Sequence, residues 1–254
     1  MAKALVGLVT GAASGLGKAT VNRLVNDGYK VIMCDLPTSS GNTIAGSLGS
    51  HVKFVPTDVR SETDVKKAVD TCQELYGKVN LIVNCAGIST ARKTCNFNKG
   101  SPHDLQEFSN ILMVNVVGSF NVIRLGAALM GKNEVDENDQ RGVIINTSGF
   151  AAFDGQMGQA ALAASHGALN SMTLTIARDM ASQNIRHCTI APGLFDTPLT
   201  DFLPEKVKSF FSDMTPFPKR LGKPEEFANL VVSIVNNPFL NAEVIRLDGA
   251  LRFS

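Results

Sequence analysis

Thr10-Gly11-Ala12-Ala13-Ser14-Gly15-Leu16-Gly17 follows directly on the apolar run Ala4 to Val9 and leads into a segment of helical period, Gly15 to Val25. A strand, a glycine-rich turn and a helix in that order leave a chain few folds to adopt. Glycines lack the Cβ that keeps a backbone away from a ligand, and the free N–H groups and dipole of a helix N-terminus attract an anion. Gly11, Ser14, Gly15, Leu16 and Gly17 therefore predict a cradle for a pyrophosphate. The spacing alone is a weak signal. Between a strand and an amphipathic helix it meets the context that dinucleotide binding demands.

The rest of the chain repeats the theme. Short apolar runs at Lys30 to Cys34, Val52 to Val55, Leu81 to Val83, Val143 to Asn146, Ile185 to Ile190 and Val244 to Leu247 are separated by longer stretches of helical period. Such alternation predicts an α/β fold, a doubly wound (Rossmann) sheet of seven mainly parallel strands with helices on both faces. A length of 254 residues fits one such domain undivided, and with no internal repeat or low-complexity linker, residues 1–254 read as a single unit. The polar, turn-rich stretches Ala91 to Asp104 and Lys132 to Gly142 read as surface insertions.

Several function classes are excluded on the same grounds. With 24 basic against 23 acidic side chains there is no overall pull toward nucleic acid, so direct binding of nucleic acid is not expected. Five cysteines without a C-x-x-C pair read as reduced, buried thiols, and no metal site is expected. No uninterrupted apolar run approaches the roughly 18 residues that cross a bilayer, so no membrane span is expected. The first strand is read almost from Met1, so no signal or transit peptide of ordinary length is expected ahead of it.

At the end of the second strand, Asp35 is placed to accept hydrogen bonds from adenosine ribose hydroxyls. That favours NAD over NADP as the cofactor, because a 2′-phosphate would face the carboxylate and neither Ala13 nor Ser14 offers a basic offset. After the third strand, Asp58 and Val59 reach either an adenine edge or, for Asp58, an ordinary turn or N-cap role.

These residues, with Asn84-Cys85-Ala86-Gly87 after the fourth strand, resemble the short-chain dehydrogenase/reductase family over essentially the whole chain. The resemblance implies that Asn84, Ala86 and Gly87 border the cofactor, and that Pro192, Gly193 and Thr197 grip the nicotinamide carboxamide. Further segments, Ile145-Asn146-Thr147, Ala151 to Gln156, Ile190 to Phe195 and Glu243 to Ala250, resemble the family's animal type 2 3-hydroxyacyl-CoA (type 10 17β-hydroxysteroid) dehydrogenase branch. That branch implies a mitochondrial homotetramer acting on a small apolar alcohol or acyl-CoA ligand; apart from the resemblance a cytoplasmic protein is expected. It also implies a separate, non-catalytic part in mitochondrial tRNA processing.

The family's chemistry uses a tyrosine base, a lysine four residues on, a substrate-orienting serine and a relay asparagine. Tyrosine and lysine at i and i+4 share one helix face. Here Leu162 stands at the tyrosine position, His166 at the lysine position and Gly149 at the serine position, while Asn115 matches the asparagine. Leucine has no proton to transfer, and histidine at its ordinary pKa of about 6.5 is mostly neutral at pH 7. Ser148 lies one residue from the serine position and is the candidate to take its place; a one-residue shift along a strand ordinarily turns a side chain to the opposite face, while a bend at the strand end recovers the hydroxyl for the substrate. His166 could still act as a replacement base through a water or simply pack beside the nicotinamide ribose. The sequence thus predicts a dinucleotide pocket in a degenerate catalytic setting: a weak dehydrogenase or pseudoenzyme, or alternatively an active oxidoreductase with a rearranged relay. The stretch Thr200 to Phe217, with Phe202, Leu203, Phe210, Phe211, Met214 and Phe217, matches the family's mobile substrate cover and is expected to wall an apolar pocket.

Overall fold

A computed structural model describes residues 5–201 and 203–252. The predicted first residue of the opening strand, Ala4, lies outside them, as does Phe202. Seven strands form one sheet: β1 (Val6–Thr10), β2 (Lys30–Asp35), β3 (Val52–Pro56), β4 (Leu81–Asn84), β5 (Gly142–Thr147), β6 (Ile185–Pro192) and β7 (Val244–Leu247). Every ladder between them is parallel, and the spatial order is β3-β2-β1-β4-β5-β6-β7. The order reverses between β1 and β4, the switch point at whose carboxyl side a doubly wound sheet opens a crevice.

Because successive side chains point to opposite faces, the apolar strands feed two cores at once. Val9, Met33, Val83, Ile145 and Ile190 pack on one side with Leu24 and Phe227. Those two residues come from α1 (Gly15–Asn26) and α8 (Pro224–Asn236). Leu8, Ile32, Ile82 and Ile144 pack on the other, against Val69, Ile123 and Ile176. Their helices are α3 (Glu62–Tyr76), α5 (Ser119–Met130) and α6 (Ala160–Met180). Two short helices, α2 (Gly41–Leu48) and α4 (Leu105–Leu112), and the later α7 (Glu205–Met214) complete the set.

Helix ends are set by local chemistry. Ser61 caps α3 by accepting from the Asp64 N–H at 3.2 Å, and Gly77 closes it in the left-handed conformation. Asp104 caps α4 through the Glu107 N–H at 2.8 Å. A π-helical turn, Met113–Gly118, joins α4 to α5 without a break. The resulting run Leu105–Met130 is, among the described residues, the one helix long and apolar enough to cross a bilayer by length and composition. In the fold it packs Ile111, Asn115, Val122 and Ile123 inward.

The two polar insertions take distinct forms. The first carries an antiparallel ribbon pairing Cys95–Asn96 with Ser101–Pro102. In the second, the Asn133 amide donates to the Val79 and Arg141 carbonyls and pins the loop to the sheet.

Candidate functional site: a glycine-floored crevice at the sheet switch point

At the carboxyl edge of the sheet lies a cavity of about 780 Å³. Its floor is the β1–α1 turn. Gly11 adopts φ +61, and a Cβ there would lie 2.7 Å from the Cys85 carbonyl oxygen; at Gly17 a Cβ would sit 2.1 Å from the Gly11 oxygen. Only glycine lets the turn close this tightly against β4. Ser14, the α1 N-cap, makes no side-chain cap hydrogen bond, and no acidic residue stands in the first turn. The helix therefore presents free N–H groups and an unopposed dipole to the cavity, which suits an anionic pyrophosphate.

Asp35 lies on the rim, where its carboxylate accepts from the Ala13 N–H and the Leu36 N–H, both at 2.8 Å. The tip of β2 is thereby locked to the glycine turn. Asp58 and Val59 also line the cavity. The Asp58 carboxylate is clasped by the Arg60 guanidinium at 2.6 Å and accepts the Arg60 N–H at 3.0 Å, which holds its pKa below the ordinary carboxylate value. Its side chain thus takes the turn role rather than the N-cap role, which belongs to Ser61. Arg60 is a cavity residue that the sequence reading missed; its position two residues after Asp58 in an Asx turn was the available signal.

Ala86, Gly87, Pro192, Gly193 and Thr197 all border the cavity as expected. Asn84 does not. It is buried behind the wall, donating to Asn146 Oδ1 at 2.9 Å, and Asn146 in turn meets His187 Nε2 at 3.3 Å. Asn84 supports the segment carrying Ala86 and Gly87 rather than lining the cavity itself. His187 is a core residue whose pKa burial pushes down to about 4.

Asn115 sits on the π-helical turn, a geometry that recurs at functional sites. Its amide is fully engaged: Oδ1 accepts from the Ile88 N–H at 2.9 Å, while Nδ2 donates to the Ile88 carbonyl at 3.0 Å and to Ser165 Oγ at 3.1 Å. It fixes the strand-end loop above the crevice.

One corner of the cavity forms where α6 meets the end of β5. Leu162 and His166 project from α6 into the cavity, and Ser148 and Gly149 border it. The Ser148 N–H donates to the Ile190 carbonyl at 2.9 Å, and its Oγ lies 3.5 Å from the same oxygen, directed toward the neighbouring strand. Burial drives the His166 pKa down to about 4, so the imidazole is neutral at pH 7. No group at this corner carries a positive charge. Beyond the glycine turn, Leu203 and Phe211 close the apolar end of the cavity. Phe210 and Phe217 instead face solvent, so the aromatic cover is narrower than the sequence suggests.

A nucleotide cradle at the switch point, the T-G-x-x-x-G-x-G turn and an N-x-A-G segment define a short-chain dehydrogenase, and the chain belongs to that family; the short chain dehydrogenase profile matches residues 5–208. Within the family it is similar to 3-hydroxyacyl-CoA dehydrogenase type-2 of Drosophila melanogaster, 57% identical over 252 residues and 99% of both chains. The Homo sapiens protein of the same name is 55% identical over 250 residues, 98% of this chain and 96% of its own. A crystal structure of 3-hydroxyacyl-CoA dehydrogenase type-2 from Mycobacterium avium superposes with a TM-score of 0.93 at 38% identity, covering 99% of this chain and 97% of that one.

Proposed function

We propose that this chain binds NAD(H) in the manner of its 3-hydroxyacyl-CoA dehydrogenase relatives but performs hydride transfer poorly, acting as a pseudoenzyme or very weak dehydrogenase. The observation that carries the reading is the corner made by Gly149, Leu162 and His166: an apolar side chain where a general base is needed, and a neutral imidazole where a cation is needed. When bound, the nicotinamide supplies or accepts the hydride. The chain's residues must then move the proton of the substrate alcohol. Leu162 cannot, and loss of a positioned general base costs on the order of 10² to 10⁴ in rate. Binding is less affected. Gly11 and Gly17 let the turn close tightly on itself and on the end of β4, the α1 N-terminus has no side-chain cap, and the Asp35 carboxylate stands on the cavity rim, where a 2′-phosphate would meet its charge, which supports NAD over NADP.

The ligand class that fits the remaining volume, walled by Leu203 and Phe211, is a small apolar alcohol or an acyl-CoA. We also infer assembly into a homo-oligomer, supported by exposed Met113, Val117 and Phe120 along the α4–α5 run. A mitochondrial setting and a non-catalytic scaffold part in tRNA processing rest on the resemblance to the type-2 branch alone.

The test is NADH formation from 3-hydroxyacyl-CoA and steroid alcohols by this protein and by Gly149→Ser/Leu162→Tyr/His166→Lys. The restored variant is expected to be faster by at least about 10². Equal rates would establish an active enzyme with a rearranged relay and overturn the reading.

A further inference from the structure

Gly149 and His166 occupy each other's space. A Cβ on residue 149 would lie 2.6 Å from both Cε1 and Nδ1 of His166, well inside the contact distance real side chains keep. Gly149 itself is extended, with φ −177 and ψ 167, a conformation any residue adopts. A side chain at 149 would therefore have to displace the neighbouring ring, while the backbone itself would accept one. His166 in turn has its Nδ1 sealed from solvent with no hydrogen-bond partner, although the residue lines the cavity.

A neutral imidazole has one protonated and one bare nitrogen. If Nδ1 carried the proton, a buried N–H would lack a protein acceptor at a cost of about 1–3 kcal/mol; a bare lone pair is the lesser cost. The Nε2–H form is also the tautomer histidine favours intrinsically. The ring therefore meets the cavity through Nε2 as a donor. A general base needs the reverse, a bare nitrogen facing the substrate within hydrogen-bond reach.

We propose that Gly149 and His166 form one coupled unit that converts the alcohol-activating corner into an uncharged hydrogen-bond donor, suited to an acceptor oxygen of a bound ligand and unable to act as a base. This deepens the pseudoenzyme reading and rests on it for its functional meaning. Desolvation of the ring agrees with the geometry, since it keeps His166 unprotonated at neutral pH.

Two measurements on the full chain test it, and neither uses a dinucleotide, so its failure is separable from failure of cofactor binding. The first is a thermal-stability cycle. Gly149→Ala is expected to lower Tm by roughly 3 to 10 °C in the parent and by no more than about 1 °C in a His166→Ala background, because the clash is with the ring. Equal losses in both backgrounds would show that the two positions are independent and end the proposal. The second is a long-range ¹H–¹⁵N correlation spectrum of the histidine rings at pH 7, assigned by the signal lost in His166→Gln. A protonated Nε2 with bare Nδ1 is the expected result; a protonated Nδ1, or a doubly protonated ring, would overturn the donor assignment even if Gly149→Ala failed to fold.

Discussion

Asp35→Asn probes the rim of the crevice with the smallest change in shape. Asparagine keeps one acceptor oxygen for the Ala13 N–H now held at 2.8 Å, so the lock between β2 and the glycine turn is expected to survive. What disappears is the charge. A carboxylate and a 2′-phosphate of about −2 held about 5 Å apart repel by about 3 kcal/mol at an effective dielectric near 40. Screening at 0.15 M salt, with a Debye length of about 8 Å, reduces this to about 1.5–2 kcal/mol. Loss of charge-assisted bonds from the ribose hydroxyls weakens NADH binding by about 1 kcal/mol in the other direction. Together these shift the NADPH:NADH affinity ratio by about 3 kcal/mol, or roughly 100-fold. Fluorescence titration of both reduced coenzymes against parent and variant at 0.15 M salt measures it. An unchanged ratio, or a parent that already prefers NADPH, would refute the role given to Asp35.

Gly17→Ala should abolish detectable NADH binding, because its Cβ has 2.1 Å to the Gly11 oxygen and the turn must open to admit it; binding within about threefold of the parent would contradict the cradle. Arg186, 6% exposed, donates to Gln140 and to the carbonyls of Ile234, Val235 and Leu240, so Arg186→Met should cost about 3–5 kcal/mol and lower Tm by roughly 6 to 20 °C, read by calorimetry. His166 and His187 have pKa values depressed to about 4, below an unfolded value of about 6.5, so below pH 6.5 the unfolded chain binds more protons than the native one. Their stabilising effect is full above pH 6.5 and is lost as pH falls toward 4, about 2 kcal/mol per histidine at pH 5. A Tm that stays flat between pH 7 and pH 5 would rule this out.

Much of this molecule is written locally. Each of the seven predicted strands forms within two residues of its expected ends, because a short apolar run bounded by turn residues suits a strand covered on both faces of a parallel sheet. The glycine turn was equally legible, since its constraint is steric and falls on adjacent residues. Positions 149, 162 and 166, read as the family's serine, tyrosine and lysine positions, needed only a helix spacing and the resemblance to locate.

Other features arise only where distant segments meet. Asn84 carries a motif, yet its partner Asn146 lies on β5, and that pairing places the amide behind the cavity instead of in it. Phe211 and Phe210 are neighbours in sequence with opposite fates, because one face of α7 turns to the cavity and the other to water. The exclusion between Gly149 and His166 joins a strand end to a helix 17 positions away. Sequence determined which residues stand at positions 149, 162 and 166; only the approach of α6 to the end of β5 decided that Gly149 and His166 meet, since steric contact is a property of space and not of order along the chain.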